Sequence, residues 1–442
     1  MKQMLESETA FASGEKGTSF WRSPTAWLHE KKLSRSFWVF FTAAFFFDFG
    51  FSIYYFLFNL YLLDLHYNER AIGLIGGAMT LGSVAGTLPS GLLARKIGLR
   101  PLLVVCFVAA PLLAALRVLV IKEAVQIGLA FVCGLAMCLW GVCFLPALAR
   151  TTTEKNRASA FSLILSAGIG TSTLGGVICG YLQQWLRMAG FAMPAVAVKR
   201  LILLGSCGIA AMGLFAVLRM RGTLSQSESE GQQIAGTNTG IRDGLRRWKI
   251  HPFLLQFLPS MALWTAVLAS FTPFANVYLS RELHVPMSRI GLIFSVTQIV
   301  QLCMGLLTPM LFRWLGLVHG IVATQVATAA AMACLAGTHD SRLAVPLYLG
   351  FSTMQWMSTP GLYNLLMSKV PDKERSTASA MMLFCNAVVG SVATAGAGIL
   401  FVRFGYPHVL LGIAALAVVA AMLFWRLSDD SNHASSSPRG IA

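Results

Sequence analysis

The stretch NLYLLDLHYNERAIGLIGGAMTLGSVAGTLPSGLLARKIGLR, residues 59–100, decides how the chain is read. It is a helix exit, a short polar loop, an apolar helix and a basic loop, and it occurs twice. The second copy is NVYLSRELHVPMSRIGLIFSVTQIVQLCMGLLTPMLFRWLGL, residues 276–317. Leu65-His66 returns as Leu283-His284, and Ile72-Gly73-Leu74-Ile75 as Ile290-Gly291-Leu292-Ile293. Arg95 and Gly98 return as Arg313 and Gly316, a shift of 218 (316 minus 98) that persists to Gly180 and Gly398. Two halves with matching hydropathy and punctuation mark an internal duplication. In membrane transporters such halves pack around a shared site at the bilayer midplane, so a transporter is the first expectation.

The bulk composition agrees. Hydrophobic residues make up 56% of the 442, charged residues 12%, and the mean hydropathy is +0.67, outside the range of soluble domains. The net charge of +16 sits in short loops between apolar runs, with no basic and aromatic surface for nucleic acid. The nine cysteines all fall inside apolar segments, without metal-ligand spacing, where thiols pack as small hydrophobes. No metal and no cofactor is expected. Residues 1–35 mix both charge signs and lack an apolar core with a cleavage site, which predicts a cytoplasmic tail rather than a signal peptide.

The remaining chain divides into apolar runs near the roughly 20 residues that cross a bilayer as helix. Spans 1–6 are placed at about 36–63, 71–93, 101–121, 125–148, 157–185 and 197–219, and spans 7–12 at about 252–280, 287–311, 317–337, 342–367, 376–402 and 407–426. The fold class expected is an all-α polytopic membrane protein, twelve helices in two pseudo-symmetric six-helix halves, residues 36–220 and 251–427. Residues 221–250, rich in Ser, Gln, Gly and Thr, form a cytoplasmic linker, and 428–442 a polar, disordered cytoplasmic tail. With the N-terminus inside, about 24 of the 34 Lys and Arg fall in cytoplasmic segments. The exception is the loop between spans 5 and 6, with Arg187, Lys199 and Arg200. Small residues four apart on span 2 (Gly82, Gly86, Ser90), span 5 (Ser172, Gly176, Gly180) and span 11 (Gly390, Thr394, Gly398) predict close helix contacts, either static or sliding.

Twelve helices in two similar halves, a hydrophilic central linker and a basic loop after the second helix of each half resemble the major facilitator superfamily over residues 36–427. The superfamily's loop between spans 2 and 3 reads Gly-x-Leu-Ala-Asp-Arg/Lys-x-Gly-Arg-Arg/Lys. This chain has Gly91-Leu92-Leu93-Ala94-Arg95-Lys96-Ile97-Gly98-Leu99-Arg100. Arg95 stands at the acidic position, as does Arg313 in the second half. The charge network that the aspartate joins at the cytoplasmic gate of family members is therefore absent in that form. Span 4 has no arginine in its apolar core, and Gly175-Gly176 lacks a preceding proline, so two signatures of proton-coupled members and drug antiporters are missing.

One acid lies deep in a span. Asp48 sits near the middle of span 1, where a charge is costly and faces a bundle interior or a wet cavity. Ser52, Tyr55 and Asn59 follow at helical period on one stripe. Span 7 repeats the stripe without the charge, as Thr265, Ala269, Thr272 and Asn276. Span 10 adds Tyr348, Ser352, Gln355 and Thr359, with Trp356 beside them, and span 4 offers Trp140 and Cys143. The resemblance implies a cavity lined by spans 1, 4, 7 and 10. Asp48 serves coupling or cation contact on one reading and is a hydrogen-bonded structural acid on the other. Trp140, Trp264 and Trp356 either stack in the cavity or pack in the core.

These features predict a secondary-active transporter, not an enzyme, moving a small organic solute by alternating access, with proton coupling through Asp48 and export as the direction. A cavity with one acid and no fixed cation suits neutral or cationic solutes. The partners expected are the solute, protons and the bilayer, with the monomer as functional unit in a bacterial inner membrane. Facilitated diffusion or uptake on the same fold, a non-transporting sensor and a polytopic membrane enzyme are the alternatives, the last lacking any His/Asp/Glu cluster.

Overall fold

The computed structural model describes residues 33–188, 190, 194–220, 252–338, 340–371 and 374–435. The N-terminal tail to residue 32, the linker at 221–250, the chain beyond 435 and the side chain of Arg95 lie outside the described residues. Spans 1–6 are the helices Arg35–Asp64, Glu69–Ile97, Leu99–Leu119, Glu123–Thr151, Glu154–Met188 and Ala195–Arg219. Span 7 comes in two pieces, Pro252–Phe271 and Ala275–Arg281, joined by a single 3-10 turn at Thr272–Phe274. Spans 8, 9 and 10 are Met287–Leu315, Leu317–Ala336 and Ser341–Lys369. Spans 11 and 12 are two helices within Arg375–Ser435 that meet at a kink at Gly405, where the backbone is not helical and φ is 74°. The second of them runs past residue 427, so the backbone to Ser435 is helical where a disordered tail was expected.

Ten of these helices are long and apolar enough to cross a membrane. One of them, Thr377–Leu427, contains the break at Gly405 and so counts as two spans. The 29-residue helix Ser341–Lys369 is less apolar because it carries the polar stripe, and it brings the described spans to twelve. The duplication is written into the backbone as well. Among the described residues the non-glycine positions with positive φ are His66 and His284, 218 apart (284 minus 66), each closing the loop after the first span of its half. Gly98 and Gly316, at φ 85° and 82°, each end one helix and start the next, a conformation that residues with a Cβ resist. Leu88 and Leu306 occupy matching places on the outer surface, three-quarters exposed, as side chains a bilayer would cover.

Lipid offers no hydrophobic drive between helices, so close packing has to supply it. The span 2 stripe packs within its own half. A Cβ on Gly82 would stand 2.0 Å from the carbonyl oxygen of Phe131 on span 4. The stripes on spans 5 and 11 face the opposite half instead. A Cβ on Gly180 would meet the Ser288 carbonyl at 3.0 Å, and one on Gly398 the Glu69 carbonyl at 2.3 Å. The span 2 glycines therefore pack within a half, while Gly180 and Gly398 lie at the seam between halves.

The break in span 7 has a local cause. Pro273 has no N–H to give the carbonyl of Ala269, and its ring crowds that turn. The freed Ala269 oxygen accepts a hydrogen bond from Thr394 Oγ1 at 3.0 Å. The basic residues of the span 5–6 loop region are also explained in part. Lys199 is buried and its Nζ lies 2.7 Å from Asp64 Oδ2 at the end of span 1, so this lysine serves packing within the half.

Candidate functional site in the cavity between the halves

A cavity of about 630 Å³ lies between the two halves. It is sealed toward the end of the molecule where span 1 runs into span 2, at residues 64–69. Asn59 Nδ2 donates to the carbonyl of Pro273 at 2.7 Å, and Asn276 Nδ2 donates to the carbonyl of Phe56 at 2.9 Å. Both pairs are related by the same shift of 217 (276 minus 59, 273 minus 56), so the clamp is a pseudo-twofold pair of bonds. Above it Arg281 Nη1 lies 2.9 Å from both oxygens of Glu69, and Tyr406 donates to Glu69 Oε1 at 3.3 Å. At the seam Ser391 Oγ donates to Gly77 O and Ser295 Oγ to Thr173 O, each at 2.6 Å. Spans 2 and 11, spans 5 and 8, and span 1 with the short second piece of span 7 are the main helix pairs that join the halves.

The sequence over residues 40–394 matches the family model described as Major Facilitator Superfamily. The chain belongs to the major facilitator superfamily. No curated protein matches it. Solved structures share the superfamily fold at low identity. A variant of the nucleoside transporter NupG is 14% identical, with TM-score 0.71, over 89% of this chain and 99% of that one. A D-xylose–proton symporter is 13% identical, with TM-score 0.68, over 88% and 96%. A bacterial homologue of the lysosomal transporter Spinster, solved inward-facing and unoccupied, is 13% identical, with TM-score 0.70, over 90% and 98%. The chain is thus a superfamily transporter, an integral membrane protein and not an enzyme.

The structure distributes the residues singled out in the sequence among several places. Ser52, Tyr55 and Asn59 of span 1, Thr272 and Asn276 of span 7, and Ser352, Gln355 and Trp356 of span 10 line the cavity together. Tyr55 and Trp356 stand 43% and 51% exposed, facing into it. The amide oxygen of Gln355 is buried without a partner. Trp264 is only 1% exposed and is not among the lining residues, which corrects its expected place in the cavity. Thr265 is also outside the lining and bonds Asn386 Oδ1 at 3.0 Å within its own half. Trp140 packs into an aromatic core with Phe47, Phe107 and Phe144, at ring distances of 5.1, 5.6 and 5.2 Å. Thr359 too is absent from the lining, and with Trp140 packed away span 4 contributes nothing to it.

Asp48 lies one helical turn from Ser52, in a small crevice between spans 1 and 5 lined by Phe41, Ala44, Phe45, Ile164, Ala167, Gly168 and Thr171. It is half-buried and sits outside the large cavity. Ser52 Oγ donates to Phe49 O at 2.8 Å and to Thr171 O at 3.4 Å, so Thr171 links the crevice to the cavity wall. In the loop motif, Gly98 makes the reversal, Arg100 Nη2 bonds the Leu218 carbonyl of span 6 at 3.1 Å, and Gly91 has open space beside it. Arg313 is exposed and Gly316 repeats the Gly98 turn.

Several lining residues escaped the sequence reading. Thr297, Gln298 and Gln301 of span 8 face the cavity, and Gln301 Nε2 bonds the Ser352 carbonyl at 3.0 Å. Their spacing in FSVTQIVQL is a polar helical face that periodicity alone can find. Thr80 of span 2 and Arg117 of span 3 also line the cavity. Arg117, in the last turn of span 3, is 2% exposed. Side chains on a helix lean toward its N-terminus, so this arginine, near the C-terminal end of span 3, runs back into the bundle. A cavity with one acid and no fixed cation is therefore not what the described residues form.

Proposed function

We propose that the protein is a secondary-active transporter that carries a small organic solute by alternating access of its two halves. The observation that carries this reading is a solute-sized cavity between duplicated halves, sealed among the described residues by matched contacts at the end near residues 64–69. With both termini cytoplasmic, as the Lys and Arg bias supports, the sealed end is external and the conformation is inward-open. The halves would exchange this state for its mirror by parting at the glycine seam of spans 2, 5, 8 and 11 and closing at the other end.

Proton coupling through Asp48 is part of the proposal. The carboxylate is half-buried, has no ion pair among the described residues, and sits one turn from the cavity on the side away from the seal. A proton taken up there neutralises a charge that the bilayer interior disfavours. The expectation of a neutral or cationic solute rested on Asp48 being the cavity's fixed charge, and Arg117 removes that premise. The proposed unit is the monomer, in a bacterial inner membrane.

The test is solute-driven proton movement in proteoliposomes, read with an internal pH dye while candidate solutes are added outside. Solute-dependent, saturable acidification or alkalinisation supports coupling, and its sign gives the direction, export in the sequence reading. Saturable solute flux without any proton movement would favour facilitated diffusion. Reporters fused after Ala442 and inserted at 222–240 should both read cytoplasm; either one outside would break the six-plus-six reading with both termini inside.

A further inference from the structure

We propose that Arg117 is the substrate-recognition residue of this cavity and that the transported solute is a small organic monoanion held by its carboxylate. The inference rests on the transporter reading above and names its substrate class. Arg117 is the one Lys, Arg, Asp or Glu among the lining residues. Its guanidinium carbon sits 4.4 Å from the centroid of the Phe58 ring, and its Nη1 lies 3.6 Å from Met79 Sδ. The Cys133 thiol is a further neighbour. Nε is buried with no hydrogen-bond partner.

The acids that could neutralise this charge are committed elsewhere. Asp64 pairs with Lys199, Glu69 pairs with Arg281, and Asp48 lies in its own crevice. Gln126, the nearby amide, spends its Nε2 on the carbonyls of Arg117 and Val120. That pins the backbone and leaves the guanidinium with soft sulfur and aromatic neighbours, Met79, Cys133 and Phe58, and no anion beside it among the described residues. An aromatic face attracts a cation, but much less strongly than burial in a bilayer penalises it. A buried cation is compensated when it is paired with an anion and hydrogen-bonded. In this cavity the pairing anion is the ligand.

The geometry narrows the chemistry further. A planar guanidinium matches a carboxylate through two parallel hydrogen bonds. A single fixed cation balances a single negative group. The rest of the lining mixes aromatic rings (Tyr55, Phe294, Trp356) with amides (Gln298, Gln301) and hydroxyls such as Thr80, which suits a body with an apolar face and a few hydrogen-bonding groups. Arg117 belongs to the first half and the span 8 and 10 side chains to the second. A ligand touching both would couple binding to the approach of the halves.

The experiment uses the full-length protein in lipid nanodiscs and reads ligand-induced thermal shift and equilibrium binding. The probes are matched series on several aliphatic and aromatic skeletons, each offered as carboxylate, primary amide and ammonium; 3-phenylpropionate, its amide and 3-phenylpropylammonium are one such set. At least one carboxylate should bind and stabilise the wild type while its amide and ammonium partners do not. Arg117→Gln should lose about tenfold or more of that affinity, and Arg117→Lys should fall between. If Arg117→Gln does not fold, Arg117→Lys carries the test through the same loss of carboxylate preference. Binding by no carboxylate overturns the proposal. So does equal or better binding of the neutral or cationic partner, or carboxylate affinity unchanged in the folded arginine variants. Carboxylate binding without flux in vesicles would overturn the transport reading alone, whereas flux of neutral solutes with no carboxylate binding would overturn this inference alone.

Discussion

Replacing Asn59 and Asn276 together by Ala should release the sealed end. Each asparagine donates one hydrogen bond from its side chain to a carbonyl of the opposite half, at 2.7 and 2.9 Å. Such a bond is worth about 1 kcal/mol net in proteins and about 0.6 kcal/mol on average between membrane helices. The two bonds lie on symmetric strands of the clamp, so the double variant should lose about 1.2–2 kcal/mol of preference for the sealed state. That converts to about 8- to 30-fold in the ratio of sealed to unsealed molecules. The assay is a double electron–electron resonance distance between spin labels placed by non-canonical amino acids at Asn68 and Ser280, which flank the seal. A longer-distance population should grow in each single variant and most in the double. An unchanged distance distribution in the double variant would refute the clamp, because loss of both cross-half bonds has to weaken the seal if they hold it.

Three further outcomes follow from the same contacts. Asp48→Asn keeps size and hydrogen bonding but cannot titrate, so it should abolish accumulation against a gradient while leaving binding and exchange, and unchanged pH-dependent accumulation would leave Asp48 structural. Asp64→Asn should destabilise the first half by about 1–3 kcal/mol, less than a fully buried pair because Asp64 is a quarter exposed. Asp64→Asn combined with Lys199→Met should recover part of that loss in thermal unfolding, and a fully additive loss would deny the pairing. Arg95→Lys and Arg313→Lys should preserve flux within about twofold if both serve as inside-facing charges, and a collapse on Arg95→Lys would show that guanidinium geometry matters there.

The fold was readable because a bilayer imposes long apolar runs, and a duplicated chain repeats its punctuation. The loop pairs His66 with His284 and Gly98 with Gly316 appear first as matched letters and then as matched positive φ angles. The break in span 7 was not readable. Pro89, Pro111, Pro146, Pro259 and Pro309 all sit inside unbroken helices, so the letter alone does not say that Pro273 ends one. Thr394 on span 11 takes up the carbonyl that the proline strands, a partner that no local pattern in the sequence identifies.

The site divides in the same way. The stripe Ser52, Tyr55 and Asn59 follows from period alone and does line the cavity. Asp48 continues the stripe by one turn, yet span 5 closes over it, because helix period fixes a face but not which neighbour covers it. Arg117 lies in the last turn of its span, where the sequence pattern marks no lining residue. The direction of its side chain, rather than its position in the span, places it in the cavity.

Flux through a protein locked at its sealed end tests the central claim most directly. Glu69→Cys and Arg281→Cys, in a background with Cys303, Cys334 and Cys385 replaced by Ser, would be bridged by a short bifunctional thiol reagent and the protein reconstituted in sealed vesicles. Alternating access predicts that the unbridged protein carries a cavity-binding solute across the membrane with saturation. The bridged protein should still bind that solute from its open side and should pass none of it. Flux that survives the bridge, or saturable binding with no flux in the unbridged protein, would contradict the account.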